Sequence, residues 1–172
     1  LIQFLATIIF IDFLKIMMSR KDAQTTDTTA GRHPGETPCT CDMLRRTARR
    51  MTRFYDQALK PTGLKLSQYS VLAHCSQTAS INITDLSTVL DVDRTTLTRN
   101  LQPLVQAGWV RIKEGRDRRS RAVGLTEDGR ELLDRAWPLW QQAERDFRRT
   151  MGREDTGRLR HLLDDAALAA SR

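Results

Sequence analysis

Between residues 44 and 59 apolar side chains return every three or four positions: Leu44, Ala48, Met51, Tyr55, then Ala58 and Leu59. That spacing predicts a helix with one face turned to a core, and Pro61 and Gly63 end it. Ser67 can cap a second helix that carries Tyr69, Leu72 and Cys75 inward. Thr84 or Asp85 opens a short third helix with Leu86, Val89 and Leu90 as its apolar side. Asp91, Val92 and Asp93 make a turn, and Asp93 caps a fourth helix over residues 94–107, with Gly108 as its C-terminal stop. The period then changes. Val110 and Ile112, and later residues 122–125, read as two short strands around a polar, glycine-containing tip at 113–121, KEGRDRRSR. Thr126 restarts a helix whose seam runs through Leu132, Leu133, Ala136, Leu139, Trp140, Ala143 and Phe147, with a kink expected at Pro138. After Gly152 a last helix shows Leu159, Leu162, Leu163, Ala166, Ala167 and Ala170.

Four helices, a hairpin and two further helices describe a mainly α chain with a small β element, an α+β fold, with no internal repeat. Residues 19–38 are rich in Thr, Asp, Gly and Pro without an apolar period, which reads as a flexible linker. The apolar run over residues 1–11 is broken by Asp12 and Lys15, well short of the roughly 20 apolar residues of a membrane span. It also lacks the basic start and small-residue cleavage site of a signal peptide. Met17 or Met18 reads as the natural start, which makes residues 1–16 a non-native leader; a short membrane-associating helix is the alternative.

Charge sharpens this outline. Of 172 residues, 28 are Lys or Arg against 21 Asp or Glu, a formal net charge of +7 that favours a polyanionic partner. Residues 94–121 hold eight basic side chains against Glu114 and Asp117, a net +6, so nearly all the excess sits in the fourth helix and the loop beside it. On that helix Leu97, Leu101, Leu104 and Val105 form a core face. At about 100° per residue, Thr95, Thr96, Arg99, Gln102 and Gln106 lie on or beside the opposite face. Hydroxyls, an amide and an Arg without any acid suit the edges of bases in a major groove. The short third helix, the turn and this longer helix make a helix-turn-helix pattern. A solvated face is the ordinary explanation of such a surface, but the adjacent Arg-tipped loop favours DNA, since such a loop can enter a narrow minor groove.

Residues 86–129 resemble the central winged helix-turn-helix of MarR-type regulators. The match rests on Asp117, Arg118 and Arg119 followed by Val123, Leu125, Thr126 and Gly129, similar to that family's D-x-R…LT-x-x-G wing signature. It rests also on TTLTRNL at 95–101 and AGWVR at 107–111. The resemblance covers roughly residues 40–150. It implies a winged helix-turn-helix over residues 63–127 between dimerisation helices at 39–62 and 128–172, with 1–38 as leader and linker. It implies a homodimeric, cytoplasmic, nucleoid-associated repressor of pseudo-palindromic double-stranded DNA. Asp117 and Arg119 would brace the wing and help contact DNA, with Arg116 and Arg118 on the minor groove or phosphates. Arg94, Thr95, Thr96, Thr98, Arg99 and Gln102 complete the expected contact set. Pro103 removes a hydrogen bond to the Arg99 carbonyl and should bend the helix.

Release would follow a small ligand or an oxidant. Cys41 lies at the predicted start of the first helix, where the dipole favours a thiolate, with Arg45 one turn on and Asp42 opposing. Residues 41–59 also resemble the first helix of the peroxide-sensing OhrR branch, in which Tyr55 would be one of two tyrosines on the reactive thiol; Arg45 holds the place of the second. Cys39 could act as a resolving partner. A soft-metal site at Cys39 and Cys41 is the alternative, without a convincing third ligand, and unreactive thiols at a frayed terminus are the plain one. Three cysteines are too few for a disulfide-stapled scaffold. No phosphate loop, nucleophile elbow or zinc-spaced set is present, and His33, His74 and His161 belong to no constellation, so neither an enzyme nor a cofactor is expected. A basic protein- or membrane-interaction module remains the other class.

Overall fold

The computed structural model describes residues 39–114 and 121–171. Helix α1 (Thr40–Leu59) runs into a single 3-10 turn (Lys60–Thr62) and is followed by α2 (Leu66–Ser76). Strand β1 (Ile81–Asn82) leads directly into α3 (Ile83–Val89), and α4 (Arg94–Gln106) follows after a turn. The hairpin strands β2 (Val110–Glu114) and β3 (Arg121–Leu125) precede α5 (Glu127–Met151) and α6 (Arg153–Ala170). The order read from the pattern is therefore observed, with one strand that the pattern missed. β1 pairs with β3, Ile81 opposite Val123 and Asn82 opposite Ala122, which makes β3 the centre of a three-stranded antiparallel sheet in the order β1-β3-β2. Two residues are too few to carry a period of their own.

Helix starts depart from expectation where another element supplies the cap. Ser67 does not begin α2. The Leu66 amide donates across to Asp56 Oδ1 of α1 at 2.7 Å, and the Lys65 amide to Gln68 Oε1 at 2.9 Å, so the cap is Lys65 and the helix opens two residues earlier than a Ser67 cap implies. Likewise α3 is capped by Asn82, whose side chain accepts from the Thr84 amide at 2.8 Å, and not by Thr84 or Asp85. Val89, expected inside, is 56% exposed; Ile83, Leu86 and the small Ser87 fill that side instead.

One core runs from Leu59 and Leu64 through Tyr69, Leu72 and Cys75 of α2, Leu86 of α3, and Leu97, Leu101 and Leu104 of α4 to Val123 and Leu125 of β3. The first half of α5 closes it with Leu132, Leu133 and Ala136. Helix α1 contributes only Tyr55 and Leu59 to buried structure, and α6 only Thr156. Pro138 stands inside α5, which continues through it.

The junction between sheet and α5 explains part of the wing signature. Helix α4 ends at Gly108 (φ +76°), with the Gly108 amide donating to Val105 O at 3.0 Å and the Trp109 amide to Leu104 O at 2.9 Å, the Schellman pattern that favours glycine. Thr126 then binds this turn back: its amide donates to Trp109 O at 3.1 Å and its hydroxyl to Gly108 O at 2.6 Å. The same hydroxyl accepts from the Gly129 amide at 3.0 Å and so caps α5. Gly129 is buried so close to the Trp109 carbonyl that a Cβ there would overlap backbone atoms. Gly129→Ala is therefore expected to destabilise by about 1–3 kcal/mol. Thr126→Val, which removes the cap, should lose about 1–2 kcal/mol. Thermal or urea unfolding checks both.

Candidate nucleic-acid interface

Burial orients α4. Leu97, Leu101 and Leu104 are at most 1% exposed, while Arg94, Thr95, Thr96, Thr98, Arg99, Gln102 and Gln106 are all exposed. Val105 departs from expectation: it is 40% exposed, because the core face is only as wide as the 97, 101, 104 stripe and Val105 turns toward the hairpin. The helix starts at Asp93, whose carboxylate accepts from the Thr96 amide at 2.8 Å and the Thr96 hydroxyl at 2.6 Å. Those two bonds hold the Asp93 carboxyl below the usual carboxylate range. Asp91 enters the preceding turn with φ +49°. Pro103 lies within α4 without ending it, and the Ala107 amide still returns to the Pro103 carbonyl at 3.0 Å.

These bonds decide what the hydroxyls can offer. Thr96 donates to Asp93, and Thr98 donates to the Arg94 carbonyl at 2.7 Å. Toward a partner both residues therefore present a methyl group and acceptor lone pairs, with their protons already used. Side-chain donors on this face include Arg94, Thr95, Arg99, Gln102 and Gln106.

The hairpin stands beside the same face. Its strands pair from Val110 opposite Leu125 to Glu114 opposite Arg121. Val110 and Val123 point into the core, leaving Arg111, Lys113 and Arg121 exposed. An open cleft of about 590 Å³ separates α4 from the hairpin; Ile83, Val105 and Ile112 form its apolar floor, and Arg94, Gln102 and Arg121 stand among its polar lining residues. Helix and hairpin stem thus share one concave, cationic surface. The expected wing contacts Arg116, Asp117, Arg118 and Arg119 lie outside the described residues, as does the leader at 1–38.

The cysteine readings fare unevenly. Cys39 and Cys41 are both exposed at the start of α1. Asp42, beside Cys41, lies 3.9 Å from the Arg46 guanidinium. Tyr55 is not brought to Cys41 within the chain: fourteen residues of helix separate them by ~21 Å. The Tyr55 hydroxyl instead donates to Glu144 Oε2 of α5 at 2.6 Å, and burial followed by that bond pushes its pKa up. Cys75 is buried, its thiol pushed up to about 11, which makes it inert. Among the described residues no group of three His, Cys, Asp or Glu side chains could hold a metal ion. No described helix is long and apolar enough to cross a membrane.

Two clusters were not anticipated. Tyr69, Trp140 and Trp137 stack in sequence with ring centroids 5.8 and 5.3 Å apart, from buried α2 outward to an exposed indole on α5. The Tyr69 hydroxyl is buried without a hydrogen-bond partner, and burial pushes its pKa up to about 12. The second cluster centres on Glu144, which accepts from Tyr55, from Arg148 Nε at 3.0 Å and from Arg160 at 2.6 Å. Only the Glu144–Arg148 spacing was visible in the sequence, as an i,i+4 pair; the other partners lie 89 and 16 residues away.

Comparison with known proteins agrees with this architecture. Residues 62–120 match the MarR family profile. The chain is 33% identical over 86 residues to the HTH-type transcriptional regulator YwoH of Bacillus subtilis, a match covering 49% of this chain and 62% of that protein. It is 30% identical over 113 residues to the multiple antibiotic resistance protein MarR of Escherichia coli, covering 64% and 78%. The M. tuberculosis transcriptional regulator MosR, solved in complex with DNA, superposes with a TM-score of 0.72 at 36% identity over 78% of this chain and 97% of that one. The chain belongs to the MarR family of winged helix-turn-helix transcriptional regulators and is not an enzyme.

Proposed function

We propose that this protein is a homodimeric repressor of a pseudo-palindromic DNA operator, working in the cytoplasm at the nucleoid and released by a small molecule or by thiol oxidation. The observation that carries this is the shared cleft: the polar side of α4 and Arg121 of the hairpin stem line one surface, so both can engage a duplex together. In this reading α4 enters the major groove with Thr95, Arg99 and Gln102 toward base edges. Arg94 and the hairpin arginines track phosphates, and the wing residues Arg116, Arg118 and Arg119, braced by Asp117, reach the adjacent minor groove.

The dimer supplies the second half-site. Met43, Leu44, Phe54, Trp137, Leu162, Leu163 and Leu168 are large apolar side chains exposed on α1, α5 and α6. An α6 that buries only Thr156 in its own chain gains its stability from a second copy. A two-fold dimer then addresses half-sites about 10 bp apart.

Two inputs fit the dimerisation region. For a small molecule, the exposed Trp137 indole at the outer end of the Tyr69–Trp140–Trp137 stack offers a planar apolar contact. For oxidation, a hydroperoxide would transfer one oxygen to the Cys41 thiolate and leave as the alcohol. The Cys39 thiol would then displace water from the sulfenic acid to close a disulfide. Cys41 lies in the first turn of α1 and Cys39 just before it, so closing that bond would disturb the helix start.

Arg99→Ala is expected to weaken operator binding by about 1–3 kcal/mol and to relax preference at one base pair. Equal weakening on all sequences in a fluorescence-anisotropy titration would limit Arg99 to phosphate contact. Leu162→Asp combined with Leu168→Asp should convert the dimer to monomer in sedimentation velocity and abolish cooperative binding to two half-sites. Cys41→Ser should remain on DNA after hydroperoxide treatment; release indistinguishable from wild type would remove Cys41 from the sensing role. Specific binding should fall steeply with salt in filter-binding assays.

A further inference from the structure

Tyr55 and Asp56 are neighbours on α1 but bond in two different directions, one to α5 and one to the start of α2. Tyr55 is 8% exposed, and its hydroxyl donates to Glu144 Oε2 at 2.6 Å. Oε1 of the same carboxylate accepts from Arg148 Nε at 3.0 Å and from Arg160 Nη2 of α6 at 2.6 Å, so one side chain ties α1, α5 and α6 together. Glu144 has only 14% of its side chain exposed. Charge-assisted bonds in such a setting are stronger than neutral ones and geometrically selective. Asp56, about 100° further round the helix, faces the reading domain instead. Its Oδ1 accepts the Leu66 amide at 2.7 Å, in the otherwise unsatisfied first turn of α2, and its Oδ2 lies 3.6 Å from Lys65 Nζ. Helix α2 carries Tyr69, Leu72 and Cys75 into the core that also holds Leu97 and Leu101 of α4.

We propose that Tyr55 and Asp56 are positioning residues: together they set the angle between the distal helices and α2, and so the separation at which a dimer presents its two copies of α4. The proposal rests on the DNA-binding reading above. A rotation of α5 and α6 changes where Glu144 holds Tyr55, and rigid α1 passes that change through the next residue to the N-terminus of α2. Geometry favours transmission over simple bracing. The two bonds leave consecutive residues in different directions, and the connection between α1 and α2 is one 3-10 turn and three further residues, with Leu59 and Leu64 fully buried at the corner.

The test uses the full chain and a duplex that the wild-type protein enriches from a random-sequence pool. Wild type, Tyr55→Phe, Asp56→Ala and Asp56→Asn are titrated on that duplex, on versions with one or two base pairs added or removed between half-sites, and on a single half-site. Tyr55→Phe and Asp56→Ala should remain dimers in sedimentation, bind the half-site within about twofold of wild type, and lose about tenfold on the enriched spacing, with a flattened spacing preference. Asp56→Asn keeps an oxygen for the Leu66 amide and should restore most of the lost affinity. Half-site and full-site binding falling together, or an unchanged spacing preference, would overturn the proposal. If wild type enriches no duplex, the DNA-binding reading itself fails, and hydrogen exchange decides the joint alone. Faster exchange at the amides of residues 66–69 in Tyr55→Phe supports it, whereas changes confined to α5 and α6 refute it.

Discussion

The three leucines on the inner side of α4 are the constraint on which the remaining surface depends. Leu97, Leu101 and Leu104 are packed to within 1% of full burial by α2, α3 and the hairpin. Each buried leucine contributes roughly 1.5–3 kcal/mol, so rotating α4 about its axis would forfeit more free energy than a small domain can spare. With rotation forbidden, Arg99, Gln102 and the threonines have no choice but to face outward. The Asp93 cap and the Schellman turn at Gly108 locate the two ends of the helix, and Thr126 draws the turn after it against α5. A cationic surface made this way is preorganised: the core has already met the entropy cost of ordering its backbone.

The other half of the molecule is organised by polar contacts rather than by a core of its own. Helices α1 and α6 expose apolar side chains along their length, yet Glu144 holds both against α5 through one tyrosine of α1 and one arginine of α6. Burial alone would raise the Glu144 pKa; the Tyr55 hydroxyl and the two guanidinium groups overcome it, and the carboxyl sits below its ordinary value. The site is thus stable as an ion. Such a hub confers direction where a purely apolar contact would permit sliding. The division of labour follows. Apolar packing presents the polar, cationic side of α4, apolar surface left over calls for a second chain, and a few charged hydrogen bonds relate the two.

Local signals in the chain were sufficient wherever an element's own residues decide its fate. Six helices and a hairpin were legible from apolar period, and Asp93, Gly108 and Thr126 marked boundaries correctly because a cap needs only its own neighbours. The polar face of α4 was legible for the same reason, since the leucine stripe implies its opposite side. One boundary failed because its partner was distant, α2 beginning at Leu66 where Asp56 reaches it from ten residues away; the other, at α3, failed although its cap Asn82 is local, because Asn82 also ends β1. Val89 and Val105 were misplaced because an apolar residue beside a stripe is buried only if a neighbouring element covers it.

What the sequence determined by itself is therefore the alternation of elements, the concentration of positive charge around α4 and the loop, and a resemblance strong enough to name a family. Tertiary structure alone decided that β1 completes the sheet, that the Tyr55 hydroxyl meets Glu144 of α5, and that α4 and Arg121 face one cleft. The physical reason is range. Period and capping act within a turn or two of backbone, whereas a hydrogen bond between residues 55 and 144 exists only after the chain has closed the intervening loop and buried both partners.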